Sequence, residues 1–391
     1  MKTIQLILKP EKEKPIKGRH PWIYSGAIDE IDEDYQAGDL VRVYSAGREF
    51  LGTGYLNPRS QIAVRMLAFT DEEINREFFA RRISEALELR RRFLPPHTNA
   101  CRLIHSEGDF LPGLIVDRYA DYLVVQIQTA GMEKWRDTLI SLLEEKVGPK
   151  GIYEKDDSEA REWEGLEKRV GLLRGGEPPD FVEIAEYGRR FIVDIHAGQK
   201  TGFFLDQREN RKLVGDLSKE RRVLNCFAYS GGFSVYAATG GAARVVSVET
   251  SERALNTAQE NFELNGLKGE FEFIRKDAFD YLRGVQEEFD LVVLDPPAFA
   301  KSKDHLMQAS RAYKDVNLWA LKRLARGGLL YTASCSSYVD PGLFQKIIFA
   351  AAKDARREVR ILQKTSHPFD HPINIYHPEG EYLKGLLCWA G

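Results

Sequence analysis

From Lys200 to the C-terminus the apolar residues fall into short strand-like runs, separated by stretches of helical spacing. That alternation predicts a parallel, doubly wound α/β sheet, an architecture that binds ligands beyond the carboxyl ends of its strands. The first run is followed by a glycine turn: Arg222-Val-Leu-Asn-Cys-Phe-Ala-Tyr-Ser-Gly231-Gly232, then the small residues Val235, Ala237 and Ala238 of a helix. Glycines at such a turn let a ligand approach the backbone, and the helix N-terminus favours negative charge. Dinucleotide-binding proteins share this much.

The later strand ends separate the alternatives. Arg244-Val-Val-Ser-Val-Glu249 ends in an acid about eighteen residues after the glycines, suited to accepting from ribose hydroxyls. The next strand runs into Asp277-Ala278-Phe279, where an acid can accept from an adenine amino group and an aromatic ring can lie against the base. The fourth, Asp290 to Asp295, ends in Asp295-Pro296-Pro297. For any single acid, helix capping is the plainer explanation. Strand ends matching in order over nearly the whole second half are harder to explain that way. This segment resembles the class I methyltransferases that use S-adenosylmethionine and release S-adenosylhomocysteine. The resemblance implies a cofactor site drawing on Cys226, Phe227, Tyr229 and Gly231 of the turn, Glu249 and Thr250, Asp277, Ala278 and Phe279, and Asp295.

Asp295-Pro296-Pro297-Ala298-Phe299 looks like the motif that nucleic-acid methyltransferases hold beside the target base. Prolines stiffen the loop, Phe299 can stack, and Asp295 can bond a Watson–Crick edge. The following strand, Gly328 to Ser334, delivers Cys335 to the same crevice. As a thiolate it could attack C6 of a pyrimidine and make C5 nucleophilic, after which a base must remove the C5 proton. A lone cysteine is more often packing than nucleophile, but its strand-end position favours Cys335. Cys226 is expected to pack near the cofactor, and Cys101 and Cys388 to be structural.

Upstream, 391 residues exceed one ordinary core, and two or three domains are expected. Residues 1–68 alternate in short strands broken by Gly and Pro, a β-rich module. Residues 69–94 hold an amphipathic helix capped by Asp71 and stopped by Pro95-Pro96, taken as a spacer. Residues 95–197 mix strands with a helix over Met132–Val147, and 198–391 form the catalytic domain. The four cysteines show no CxxC pair, so neither a disulfide framework nor a metal site is expected. No apolar run approaches the roughly eighteen residues of a membrane span, and a cytoplasmic protein without a membrane partner is expected. Net charge is −3, which gives no global sign of a polyanionic partner. Locally, Lys2, Lys9, Lys12, Lys14, Lys17 and Arg19 crowd the N-terminus, and Arg81, Arg82 and Arg90 to Arg92 form a second cluster. Solvated helix and strand faces account for such runs on their own.

Taken whole, the chain resembles the bacterial and archaeal 23S rRNA 5-methylcytosine methyltransferases that carry an N-terminal PUA domain. The matching patterns are Gly18-Arg-His-Pro-Trp-Ile-Tyr-Ser-Gly-Ala27, Phe50 to Ser60, Glu107 to Tyr119, Gly198 to Arg208, Tyr313-Lys-Asp-Val-Asn317, Asp370-His-Pro372 and Tyr382-Leu-Lys-Gly385, essentially end to end. The resemblance implies a PUA-like β-barrel binding RNA, an α/β middle domain and a Rossmann-like methyltransferase domain, assembled as a homodimer. It implies that Phe203, Asp206, Gln207 and Arg208 help hold the cofactor, with Pro296, Pro297, Phe299, Lys303, Arg19, His20 and Trp22 on the RNA. Ala298 stands where two-cysteine RNA cytosine methyltransferases carry a second cysteine, so Asp295, His371, Glu379 and Glu381 all remain candidates for the base. Methylation at guanine N7 or uracil C5, and a non-catalytic cofactor-binding RNA module, are the competing readings.

Overall fold

The computed structural model describes residues 4–32, 34–300 and 302–391; Lys2 of the basic N-terminus lies outside them. Two compact units emerge, each assembled from separate stretches of chain. The first runs to Ile184 and adds Val193–Leu205 and Phe369–Gly380. The second holds Ala185–Ile192, Asp206–Pro368 and Glu381–Gly391. The catalytic stretch expected over 198–391 is thus interrupted: 198–205 and 369–380 pack with the first unit.

In the first unit a six-stranded sheet has the order Trp22–Tyr24, Ile62–Ala68, Phe50–Leu56, Leu40–Tyr44, Ile4–Leu8, Ile28–Ile31. Its buried face is Ile4, Leu6, Leu8, Val41, Val43, Val64 and Met66, the residues that alternate in sequence. A five-stranded sheet follows, ordered Arg169–Gly175, Gly151–Asp156, Tyr122–Ile127, Leu114–Tyr119, Ala100–His105.

The helix taken as a spacer is part of a core. It spans Arg76–Phe93, and Phe78, Phe79, Ile83 and Ala86 pack with Ile104, Leu114 and Leu123 of that sheet. Its cap is Asn75, whose side chain accepts from the Phe78 N–H; Asp71 instead pairs with Arg42 at 2.7 Å. The helix expected over 132–147 is broken at Trp135 into Ala130–Lys134 and Arg136–Val147. The break follows Gly131, where an added Cβ would lie 2.0 Å from the Tyr55 ring, so the first turn is held against that ring. Val182–Glu186 and Arg189–Val193 form a hairpin. It turns at Tyr187 (φ 50°) and Gly188 (φ 78°), as a two-residue hairpin loop requires.

The second unit carries a seven-stranded sheet ordered Glu270–Arg275, Arg244–Glu249, Arg222–Cys226, Phe289–Leu294, Leu324–Ser334, Lys384–Ala390, Val359–Thr365. The first five are parallel, and Lys384–Ala390 inserts antiparallel between Leu324–Ser334 and Val359–Thr365. The chain enters at the third strand of this order, builds outward to one edge, then crosses to the other side. That reversal opens a crevice at the carboxyl ends, which is where Cys226, Glu249, Arg275, Leu294 and Ser334 deliver the following loops. Among the described residues no helix is long and apolar enough to cross a membrane.

Candidate cofactor and acceptor site

The glycine turn is tightly wound. Phe227, Tyr229 and Gly231 have φ of 60°, 46° and 76°, left-handed values that are costly for the two aromatic residues and concentrate at ligand sites. The two glycines also make room within the protein. An added Cβ on Gly231 would lie 2.8 Å from Ala258 Cβ, and one on Gly232 would lie 2.9 Å from Arg211 Cδ, so both glycines admit neighbouring helices. Cys226 is fully buried among Leu224, Val248 and Leu294, and burial pushes its thiol well up. Its backbone ends the strand Arg222–Cys226, from which the turn departs.

Glu249 ties the turn to the next strand end. Its Oε2 accepts from the Tyr229 N–H at 2.9 Å, and Oε1 accepts from the N–H groups of Thr250 and Ser251 at 2.8 and 3.0 Å. Asp277 does cap a helix: Oδ1 accepts from Phe279 and Asp280 N–H at 2.9 and 3.1 Å. Capping and ligand binding are compatible, because the carboxylate is exposed and has a second oxygen. Ala278 is buried beneath it. Phe227, Phe279 and Phe299 form a ring cluster with centroids 6.0–6.4 Å apart. Phe299, half-buried, also packs with its ring 4.6 Å from that of Tyr313. Pro297 and Lys303 are exposed, and Pro296 is buried.

Asp295 is oriented by Gln207, whose Nε2 donates to Oδ1 at 2.8 Å. The neighbouring Asp206 accepts from the Tyr382 hydroxyl at 2.8 Å, while Arg208 is fully buried with Nε 3.1 Å from Glu209. Phe203 belongs to the first unit, where its N–H donates to the Tyr119 hydroxyl at 3.1 Å.

Cys335 follows directly on its strand, half-buried, with Sγ 4.0 Å from the Pro296 carbonyl oxygen. Its neighbours lock that approach. Ser336 Oγ accepts from the Ala300 N–H at 3.2 Å and lies 3.3 Å from the Tyr313 hydroxyl, to which Ser334 donates at 3.0 Å. Behind them Lys384, 5% exposed, donates to the Ser336 and Tyr382 carbonyls at 2.5 and 2.9 Å. Burial lowers its ammonium to about 8. The sequence reading gave no role to Lys384, Tyr313 or the two serines. One signal was available: a lysine opening the otherwise apolar strand KGLLCWA.

Of the candidate bases, His371 and Glu379 are engaged within the first unit. His371 Nδ1 lies 3.1 Å from buried Asp370, and Glu379 lies 3.3 Å from His20. Asp295 and Glu381 belong to the second unit. The three N-terminal RNA candidates are also drawn into internal contacts. Trp22 Nε1 donates to Glu107 at 2.7 Å, its ring sits 4.3 Å from His377, and exposed Arg19 lies over Tyr376. The arginine cluster is largely paired locally: Arg91 and Arg92 share Glu88, Arg81 meets Glu72, and Arg90 is buried on Asp109.

Comparison with known proteins agrees with this architecture. Residues 6–69 match the PUA-like domain model, and 169–335 match the S-adenosylmethionine-dependent methyltransferase model. "Ribosomal RNA large subunit methyltransferase I" of Photobacterium profundum is 44% identical, with 99% of this chain and 100% of that protein covered. The protein of the same name from Tolumonas auensis is 46% identical, with 98% of each covered. A solved methyltransferase-type chain complexed with SAH superposes with a TM-score of 0.85 at 25% identity over 100% of both chains. At these identities over nearly full length, the chain belongs to the ribosomal RNA large subunit methyltransferase I family.

Proposed function

We propose that this S-adenosylmethionine-dependent enzyme methylates C5 of a cytosine in 23S ribosomal RNA, through a transient bond from Cys335 Sγ to C6 of the base. The observation that carries the reading is the 4.0 Å approach of Cys335 Sγ to the Pro296 carbonyl, which sets a nucleophile against the Asp-Pro-Pro loop. The ribosomal acceptor is supported by the relatives named for the large-subunit RNA, and the PUA-like domain supports an RNA partner.

The residues fit the cofactor. Its ribose and adenine offer hydroxyl and amino donors, and Glu249 and Asp277 are carboxylate acceptors at adjacent strand ends, beside the Phe227 and Phe279 rings. When bound, S-adenosylmethionine supplies an electrophilic methyl group. Asp295, held by Gln207, would bond the cytosine edge and fix its face to Cys335. The thiolate adds to C6 and the C5–C6 π pair becomes the nucleophile at C5. After methylation a base takes the C5 proton, the π pair re-forms, and the C6–S bond breaks with its electrons returning to sulfur. Asp295 and Glu381 are the candidates for that base in the unit that holds Cys335. We further propose a homodimer acting in the cytoplasm, with oligomeric state readable by light scattering.

The test is to incubate the enzyme with 23S RNA fragments containing 5-fluorocytosine. Wild type should form a denaturation-resistant adduct, and Cys335→Ala should form none and lose turnover. Normal turnover by Cys335→Ala would instead favour guanine N7 or another thiol-free chemistry.

A further inference from the structure

We propose that Lys384 is a positioning residue that holds Cys335 as its thiolate, through a fixed ammonium behind the loop that carries the nucleophile. The inference rests on the covalent reading of Cys335.

The geometry comes from strand pairing. Lys384 lies directly opposite Ser334, so its side chain rises on the same face of the sheet, next to the turn into Cys335. Two of its three donors are taken by the carbonyls of Ser336 and Tyr382, which fix both the nitrogen and the backbone one residue beyond the cysteine. A buried lysine loses hydration and needs compensating negative charge. The groups that favour its charge are Cys335, Glu381 and Asp340, with Cys335 the largest of the three. Asp340 is committed to capping the helix Pro341–Ala355. The Tyr313 hydroxyl also feels a negative Cys335: burial, and to a smaller extent that charge, hold its proton on, while its hydrogen bonds with Ser334 and Ser336 work the other way.

Interaction between two titrating groups is reciprocal: what the thiolate does for the ammonium, the ammonium does for the thiolate. Without the ammonium, the proton would stay on sulfur, in a weak S–H···O contact with Pro296. With it, the thiol proton is released to solvent and the negative charge stays on Sγ. Burial lowers the lysine to about 8 but leaves it largely protonated at neutral pH, as this role requires.

The test is the pH dependence of iodoacetamide alkylation of Cys335 in the full-length protein, with Cys335→Ser supplying the background. The other three cysteines are buried. Lys384→Met should move the alkylation midpoint up by at least one pH unit, about tenfold slower reaction at pH 7. The turnover profile should shift the same way, so that raised pH restores activity. Lys384→Arg should keep the wild-type midpoint. A wild-type midpoint in Lys384→Met overturns the proposal, whatever happens to turnover. Should Lys384→Met not fold, the reciprocal measurement decides: in Cys335→Ser the Lys384 amine, followed by NMR, should titrate at lower pH than in wild type, and an unchanged value overturns the proposal. Failure of the covalent reading would show separately, as absence of the 5-fluorocytosine adduct in wild type.

Discussion

Gln207 donates its amide Nε2–H to Asp295 Oδ1 at 2.8 Å, and its own Oε1 accepts from Asn210 at 2.6 Å and from Tyr331 at 3.5 Å. The residue just before the helix Arg208–Asp216 therefore sets the carboxylate at the end of a central strand. Gln207→Leu removes this bond while keeping volume. Turnover should fall about tenfold to a hundredfold, the range expected when a positioning contact is lost. The melting temperature should stay within a few degrees. Methyl transfer and thermal unfolding measured on the same preparation check both halves.

The helix start at Asn75 gives a test that separates two neighbouring residues. Asn75→Ala removes the acceptor for the Phe78 N–H and should cost about 1 kcal/mol in urea unfolding. Asp71→Ala breaks only an ion pair whose carboxylate is 66% exposed, and should leave stability near wild type. Equal losses would return the cap to Asp71.

His377 is buried against Trp22, with neither ring nitrogen hydrogen-bonded among the described residues. Burial, only partly offset by Glu107 and Glu379, lowers its value below the ordinary 6.5. Between the folded and unfolded values the unfolded chain binds the extra proton. The contribution is therefore fully present above 6.5 and is lost as pH falls through the lowered folded value. His377→Phe should flatten the slope of unfolding free energy against pH below 6.5. An unchanged slope counts against a neutral, buried imidazole.

Glu186, fully buried, pairs with Arg211 through two bonds of 2.8 and 2.7 Å. Glu186→Ala leaves the guanidinium without its carboxylate and should cost about 3–5 kcal/mol, read from urea midpoints. Arg211 also touches the space an added Gly232 side chain would take, so the loss should loosen the glycine turn and weaken SAH binding. Destabilisation without weaker SAH binding would confine the pair to a structural role.

Sequence alone determined the catalytic architecture, because what specifies it is local. Apolar periods name the strands, and the acids at 249, 277 and 295 stand where strands must end. The strand-end position of Cys335 was legible for the same reason: a strand end has a fixed relation to the crevice of a parallel sheet. Tertiary structure decided what depends on partners distant in sequence. The helix Arg76–Phe93 looked like a spacer because its burial partners lie on strands that come later in the chain. That Gly231 and Gly232 also make room for Ala258 and Arg211 depends on helices elsewhere in the chain. The internal contacts of Arg19, His20 and Trp22 with residues 376–379 and Glu107 were likewise out of reach of the sequence. Lys384 stood out only as a lysine opening an apolar strand, with nothing in the sequence to say what it meets. A lysine's charge and the Tyr382 carbonyl are local, but the Ser336 carbonyl and the thiol that give it meaning are brought to it only by the pairing of two antiparallel strands.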